Sequence, residues 1–142
     1  MKTFVKLNFF AFLYGFFLFI VAFIMINAYR LERIAPWLND TVNSILIFII
    51  FIVSTILFCF ITTKYFNTGG LRYFLTILWI PYYLILRLLS NLLIPITYPG
   101  DKPVPVTGLF LLVIYLIYPL YIGFINLSCT QDLYPKDDDN NK

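Results

Sequence analysis

Four uninterrupted apolar stretches, each about as long as a bilayer is thick, decide what this chain can fold into. A helix needs about 20 residues to cross the hydrocarbon core. The sequence supplies such runs at about 7–27, 42–61, 71–94 and 106–127. Inside lipid the backbone finds no water, so each run must close its own hydrogen bonds as a helix. The many Ile and Val side chains favour strands in water, but span length overrides that preference here. The expected fold is therefore all-α: a polytopic membrane protein, four transmembrane helices in an antiparallel bundle with short loops.

Composition points the same way. Of the 142 residues 61% are hydrophobic and only 12% are charged, against about 25% charged in soluble domains. A soluble chain this short leaves too much of its area exposed to hide such an excess, so the excess must face lipid. The first span has Lys2 and Lys6 ahead of it, as a secretory signal would. Its apolar run exceeds the roughly 7–15 residues of a signal core, and Ile26 stands where a cleavage site prefers a small residue. An uncleaved helix is expected.

The connections carry turn and interface chemistry. "RLERIAPWLND" (30–40) is polar and amphipathic, with Pro36 and Trp37 as an interfacial anchor. "NTGG" (67–70) is a turn. "PITYPGDKPVP" (95–105) holds four prolines in eleven residues, which predicts an ordered, extended hairpin connection. Residues 1–130 form one transmembrane domain, and the acidic, polar tail 131–142 is too short to fold and expected to be disordered. Lysine and arginine near span ends set orientation. Lys2, Lys6, Lys64, Arg72, Lys136 and Lys142 lie on one side, and Arg30, Arg33 and Lys102 on the other. That bias places both termini in the cytoplasm of a cell membrane.

The residues that carry chemistry elsewhere are scarce. Histidine is absent and no Asp or Glu lies within any of the four spans, which removes the usual groups for proton relay. The intramembrane serines have no evident base beside them. No metal-ligand spacing and no Gly-rich phosphate loop occur, so no catalytic residue, metal or cofactor is expected. The net charge of +3 forms no basic block, which excludes nucleic acid as a partner. Cys59 and Cys129 stand 70 residues apart, a pattern that suggests neither a disulfide framework nor a zinc site. They are expected to be a small apolar filler and a membrane-edge residue. The sharper alternative is palmitoylation of the juxtamembrane Cys129.

Polar residues inside the spans fall into stripes. At 100° per residue the third span aligns Thr76, Tyr83, Arg87, Ser90 and Asn91. The second aligns Ser44, Thr55, Cys59 and Thr62, the fourth Gly108, Tyr115, Pro119, Gly123 and Asn126, and the first Asn8, Gly15, Ala22 and Ile26. Small and polar stripes suit close helix packing with interhelical hydrogen bonds. They equally suit a docking groove.

Arg87 is the sharpest case. Its Cα lies about 12 Å before Pro95 at 1.5 Å per residue. A charge within the membrane costs up to about 2.5–3.5 kcal/mol on insertion scales. Side chains lean toward a helix N-terminus, so snorkelling to the nearer, C-terminal interface runs against the natural direction. Partners inside the protein are therefore favoured: Tyr115 or Tyr118, Thr55, the loop acids Asp40 or Asp101, or else a lipid phosphate, whose geometry matches a guanidinium. The binding residues expected are Arg87, Tyr83, Asn91, Ser90, Thr76 and Tyr115. They suit a non-catalytic accessory, assembly or immunity-type factor whose partners are membrane lipids, another membrane protein or a second copy of itself. The alternative is a small oligomeric channel or transporter for an anion or amphiphile that uses Arg87. A lipid-modifying enzyme is the remotest class.

Overall fold

The computed structural model describes residues 2–65 and 73–129. The "NTGG" turn, Arg72 and the acidic tail lie outside the described residues. Among the described residues five α-helices follow one another: α1 (Lys2–Ile26), α2 (Ala28–Ile34), α3 (Asp40–Tyr65), α4 (Leu75–Leu93) and α5 (Pro105–Ser128). Four of them, α1, α3, α4 and α5, are long and apolar enough to cross a membrane. The chain is a four-span, all-α membrane protein.

Local chemistry sets the helix ends. Asn39 caps α3: its Oδ1 accepts from Val42 N at 3.0 Å, and its carbonyl accepts from Asn43 N at 2.9 Å. This is the usual remedy for unpaired amides in a first turn. Pro105 opens α5, where its missing N–H is not needed. At the end of α1 the chain turns at Asn27, whose side-chain amide donates to Phe23 O at 2.9 Å. The segment expected to be a polar loop beyond it begins instead as the short helix α2. Pro81 and Pro119 lie inside α4 and α5, and helix continues through both.

In lipid, helices gain little hydrophobic driving force from one another, and close packing decides which pairs form. The tightest pair is α1 with α4, two non-consecutive spans that run parallel. Gly15 makes it possible. A Cβ built there would lie 2.9 Å from Trp79 O and 3.0 Å from Tyr83 N, both backbone atoms of α4. Ala11 and Ala22 on the same face are fully buried, and Tyr82 donates its hydroxyl to Asn8 Oδ1 at 2.6 Å. The first span's small-residue stripe is thus a packing face. On α5 the expectation fails for the glycines: a Cβ at Gly108 or Gly123 would meet nothing within 4 Å. The buried face of α5 is built from Leu111, Ile122, Ile125 and Asn126.

α3 and α5 are joined near their shared, terminal end. The structure corrects the expectation for the cysteines: Cys59 and Cys129 form a disulfide, with Cα atoms 5.3 Å apart. Sequence spacing concealed it because the two residues meet only once both helices have crossed the membrane. A bonded Cys129 offers no thiol for palmitoylation. Around the bond, Thr63 Oγ1 donates to Cys129 O at 2.9 Å, and Thr55 and Tyr121 share a hydroxyl hydrogen bond of 2.8 Å. Thr62 Oγ1 donates to the fully buried Asn126 at 3.5 Å.

The opposite end is closed by α2 and the proline-rich connection. Arg33 grips Asp101 through two bonds, Nε to Oδ1 at 2.9 Å and Nη2 to Oδ2 at 2.6 Å. The same guanidinium lies 5.1 Å from the centre of the Tyr98 ring. Arg30 adds a 3.4 Å bond to Pro95 O. The Arg33 contact holds the Asp101 carboxyl below the usual carboxylate range. The folded value is depressed, so this contribution to stability is complete at neutral pH and is lost as pH falls below about 4, through the folded value. Amide exchange of Asp101 and Lys102 is therefore expected to stay slow from pH 7 to about 4, after correction for intrinsic rates, and to rise below it. Asp101→Asn should give the fast behaviour already at pH 7. Acid-insensitive exchange would remove the pair from the account of how this end is closed.

Candidate functional site

The stripe expected on the third span divides in the structure. Tyr83 and Tyr115 do meet: their hydroxyls share a hydrogen bond, and their ring centres are 5.4 Å apart. This joins α4 to α5 in mid-membrane. Thr76 lies eleven residues before Arg87, about 16 Å along the helix, and its carbonyl accepts from Trp79 Nε1 at 2.8 Å. Thr76 therefore belongs to the packed end of α4 and not to a site around Arg87.

Arg87 itself is half-buried, one turn beyond Tyr83. Among the described residues its guanidinium makes no hydrogen bond and no ion pair. The partners expected for it inside the protein are engaged with others. Tyr115 is joined to Tyr83, Tyr118 donates to Tyr14 O at 2.6 Å, Thr55 is joined to Tyr121, and Asp101 is held by Arg33. Asp40 lies at the start of α3, against a different face of the bundle.

Ser90 and Asn91 continue the Arg87 face toward the end of α4. Ser90 is half-buried and its carbonyl accepts from Ile94 N at 2.9 Å. Asn91 is exposed, and its side chain makes no hydrogen bond among the described residues. Leu88 and Leu92 beside them are more than three-fifths exposed. The result is a short polar strip of Arg87, Ser90 and Asn91 on an apolar, outward-facing helix surface. One end is anchored by the Tyr83–Tyr115 pair.

Two cavities lie elsewhere, between α1, α3 and α5. The larger has a volume of about 500 Å³ and runs beside α3 from Ser44 to Ser54. The smaller, about 310 Å³, lies at the α2 end and includes Asp40, Asn43 and Thr107 in its wall. Sequence reasoning singled out Ser44 but missed the cavities. They lie where side chains of α1, α3 and α5 meet, which leaves no local pattern. Among the described residues no group of three or more Cys, Asp or Glu is placed to hold a metal ion.

These features define a class: a small, four-span integral membrane protein with an unsatisfied cation on one face and an apolar cleft on another. No family model, curated protein or solved structure matches the chain.

Proposed function

We propose that the protein is a non-catalytic accessory factor of a cell membrane, an assembly or immunity-type partner that binds another membrane protein or lipid through Arg87, Ser90 and Asn91. One observation carries this reading: a guanidinium within a membrane helix that has no hydrogen-bond or ion-pair partner among the described residues. A charge at that depth is costly unless something satisfies it, and the fork of donors on arginine suits a phosphate or carboxylate supplied from outside. Asn91 and Ser90, on the same face, add neutral hydrogen-bonding groups of the kind that joins membrane helices. The lysine and arginine bias favours both termini in the cytoplasm, whereas the Cys59–Cys129 disulfide at that end favours an oxidising compartment.

Arg87→Leu combined with Asn91→Leu tests the site. The double variant is expected to insert and fold, because Asn91 is exposed, Arg87 makes no hydrogen bond or ion pair among the described residues, and leucine suits a membrane helix. It should lose the protein or phospholipid that co-purifies with the wild type in mild detergent, by about tenfold or more. Unchanged association would leave the strip with no role in binding.

A further inference from the structure

We infer that the cleft between α3 and α5 is a lipid site, with one acyl chain in its inner chamber and an amine-bearing head group at its mouth. This is a separate surface from the Arg87 face and does not depend on it. The two helices are held together near the terminal end by the Cys59–Cys129 disulfide and by the Thr55–Tyr121 bond. Toward the α2 end they part, and the space between them forms the two cavities. Ser44 and Ile47 line both, so the chambers adjoin.

The inner chamber is apolar in effect as well as in composition. Phe17, Phe48, Phe51, Ile114 and Ile117 line it. The hydroxyls along its wall are committed to the protein: Ser44 donates to Asp40 O, Ser54 to Phe51 O, and Tyr118 to Tyr14 O, while Tyr121 is bonded to Thr55. Water needs two to four polar partners to occupy a cavity, and an apolar cavity without them takes apolar guests. At about 500 Å³ the chamber lies within the usual range for small-molecule sites. It follows α3 over the ten residues from Ser44 to Ser54, about 15 Å of helix. That is half of a hydrocarbon core about 30 Å thick, the depth of one leaflet. Phe48, Phe51 and Ile117 on its rim are half or more exposed, which opens the chamber sideways to the bilayer.

The mouth differs in chemistry. Asp40, at the first turn of α3, is exposed and makes no hydrogen bond or ion pair through its carboxylate among the described residues. Asn43 is only 4% exposed and lines the outer chamber; its Nδ2 donates to Leu38 O, and its Oδ1 is buried with no donor. The mouth is thus polar and carries an unpaired negative charge. A carboxylate at the mouth of an apolar chamber one leaflet deep calls for a cationic group on an acyl chain. An amine head group supplies it, and a purely anionic head group does not.

The test uses the full chain in nanodiscs of phosphatidylcholine doped with photoactivatable phosphatidylethanolamine or phosphatidylglycerol of identical acyl chains. With the ethanolamine probe, crosslinks are expected to concentrate on residues 44–54 of α3 and 114–121 of α5. They should exceed those of the glycerol probe about fivefold. Asp40→Asn, a change at an exposed position, should erase the head-group preference while the crosslinked residues stay the same. Ile47→Trp, which fills the junction of the chambers, should reduce labelling by both probes. Equal labelling by the two probes in the wild type would overturn the proposal. So would crosslinks spread over all outward faces, as bulk lipid gives.

Discussion

Serine at both Cys59 and Cys129 is expected to cause one of the two largest losses of stability available in this chain. The bond closes a loop of 70 residues, for which chain entropy alone gives about 4 kcal/mol in a freely unfolding polymer. In a membrane the unfolded spans remain inserted as helices, so that figure is an upper bound, and a loss of about 2–4 kcal/mol is expected. The loss should appear in denaturing-detergent unfolding of protein in bicelles, and a thiol reductant acting on the wild type should reproduce it. Separation of α3 from α5 should be most marked at the terminal end, where Thr63 donates to Cys129 O. Identical unfolding curves with and without the bond would show that the hydroxyl contacts hold this end unaided. The bond also bears on orientation. Disulfides persist chiefly in oxidising compartments, so a pair found oxidised in the native membrane would overturn the cytoplasmic placement of the termini that the charge bias supports.

The second large effect is expected at Gly15. Valine there must push α4 away from α1, because the atoms nearest the new Cβ belong to the backbone of Trp79 and Tyr83 and cannot rotate aside. Overpacking of this kind typically costs about 1–3 kcal/mol, and valine should fall at or above the top of that range. Alanine should cost less, since its helix preference over glycine returns up to about 1 kcal/mol. Gly108→Ala and Gly123→Ala provide internal controls. Both positions have open space beside them, so the same change there should be neutral or slightly stabilising. Equal responses at all three glycines would mean that α1 and α4 do not approach as closely as Gly15 allows. Loss of the α1–α4 contact should also free Tyr82 from Asn8.

Much of the candidate strip could be read from the sequence. Arg87, Ser90 and Asn91 were found by periodicity and lie together, and Tyr83 with Tyr115 marks one end of the strip. Angle alone groups Thr76 with them, although helical rise puts it about three turns from Arg87. What periodicity lacked was knowledge of the other spans. Whether Tyr118, Thr55 or Asp101 satisfies Arg87 depends on which residue reaches each of them first, and Tyr14, Tyr121 and Arg33 do so. The grip of Arg33 on Asp101 joins residues 68 positions apart, and no local signal pairs them.

The sequence by itself determined four helices and a membrane to hold them. In lipid each span must satisfy its own backbone, so helix formation is a local matter that runs of apolar residues settle alone. Only the tertiary structure decided that α1 lies closest to α4, that two distant cysteines bond, that Arg87 goes unpaired within the described chain, and that α3 and α5 part to leave a cleft. Apolar side chains gain little hydrophobic driving force by leaving lipid for one another. The choice of neighbours therefore rests on a glycine, a few hydroxyls and a disulfide, whose partners lie 32 or more residues away.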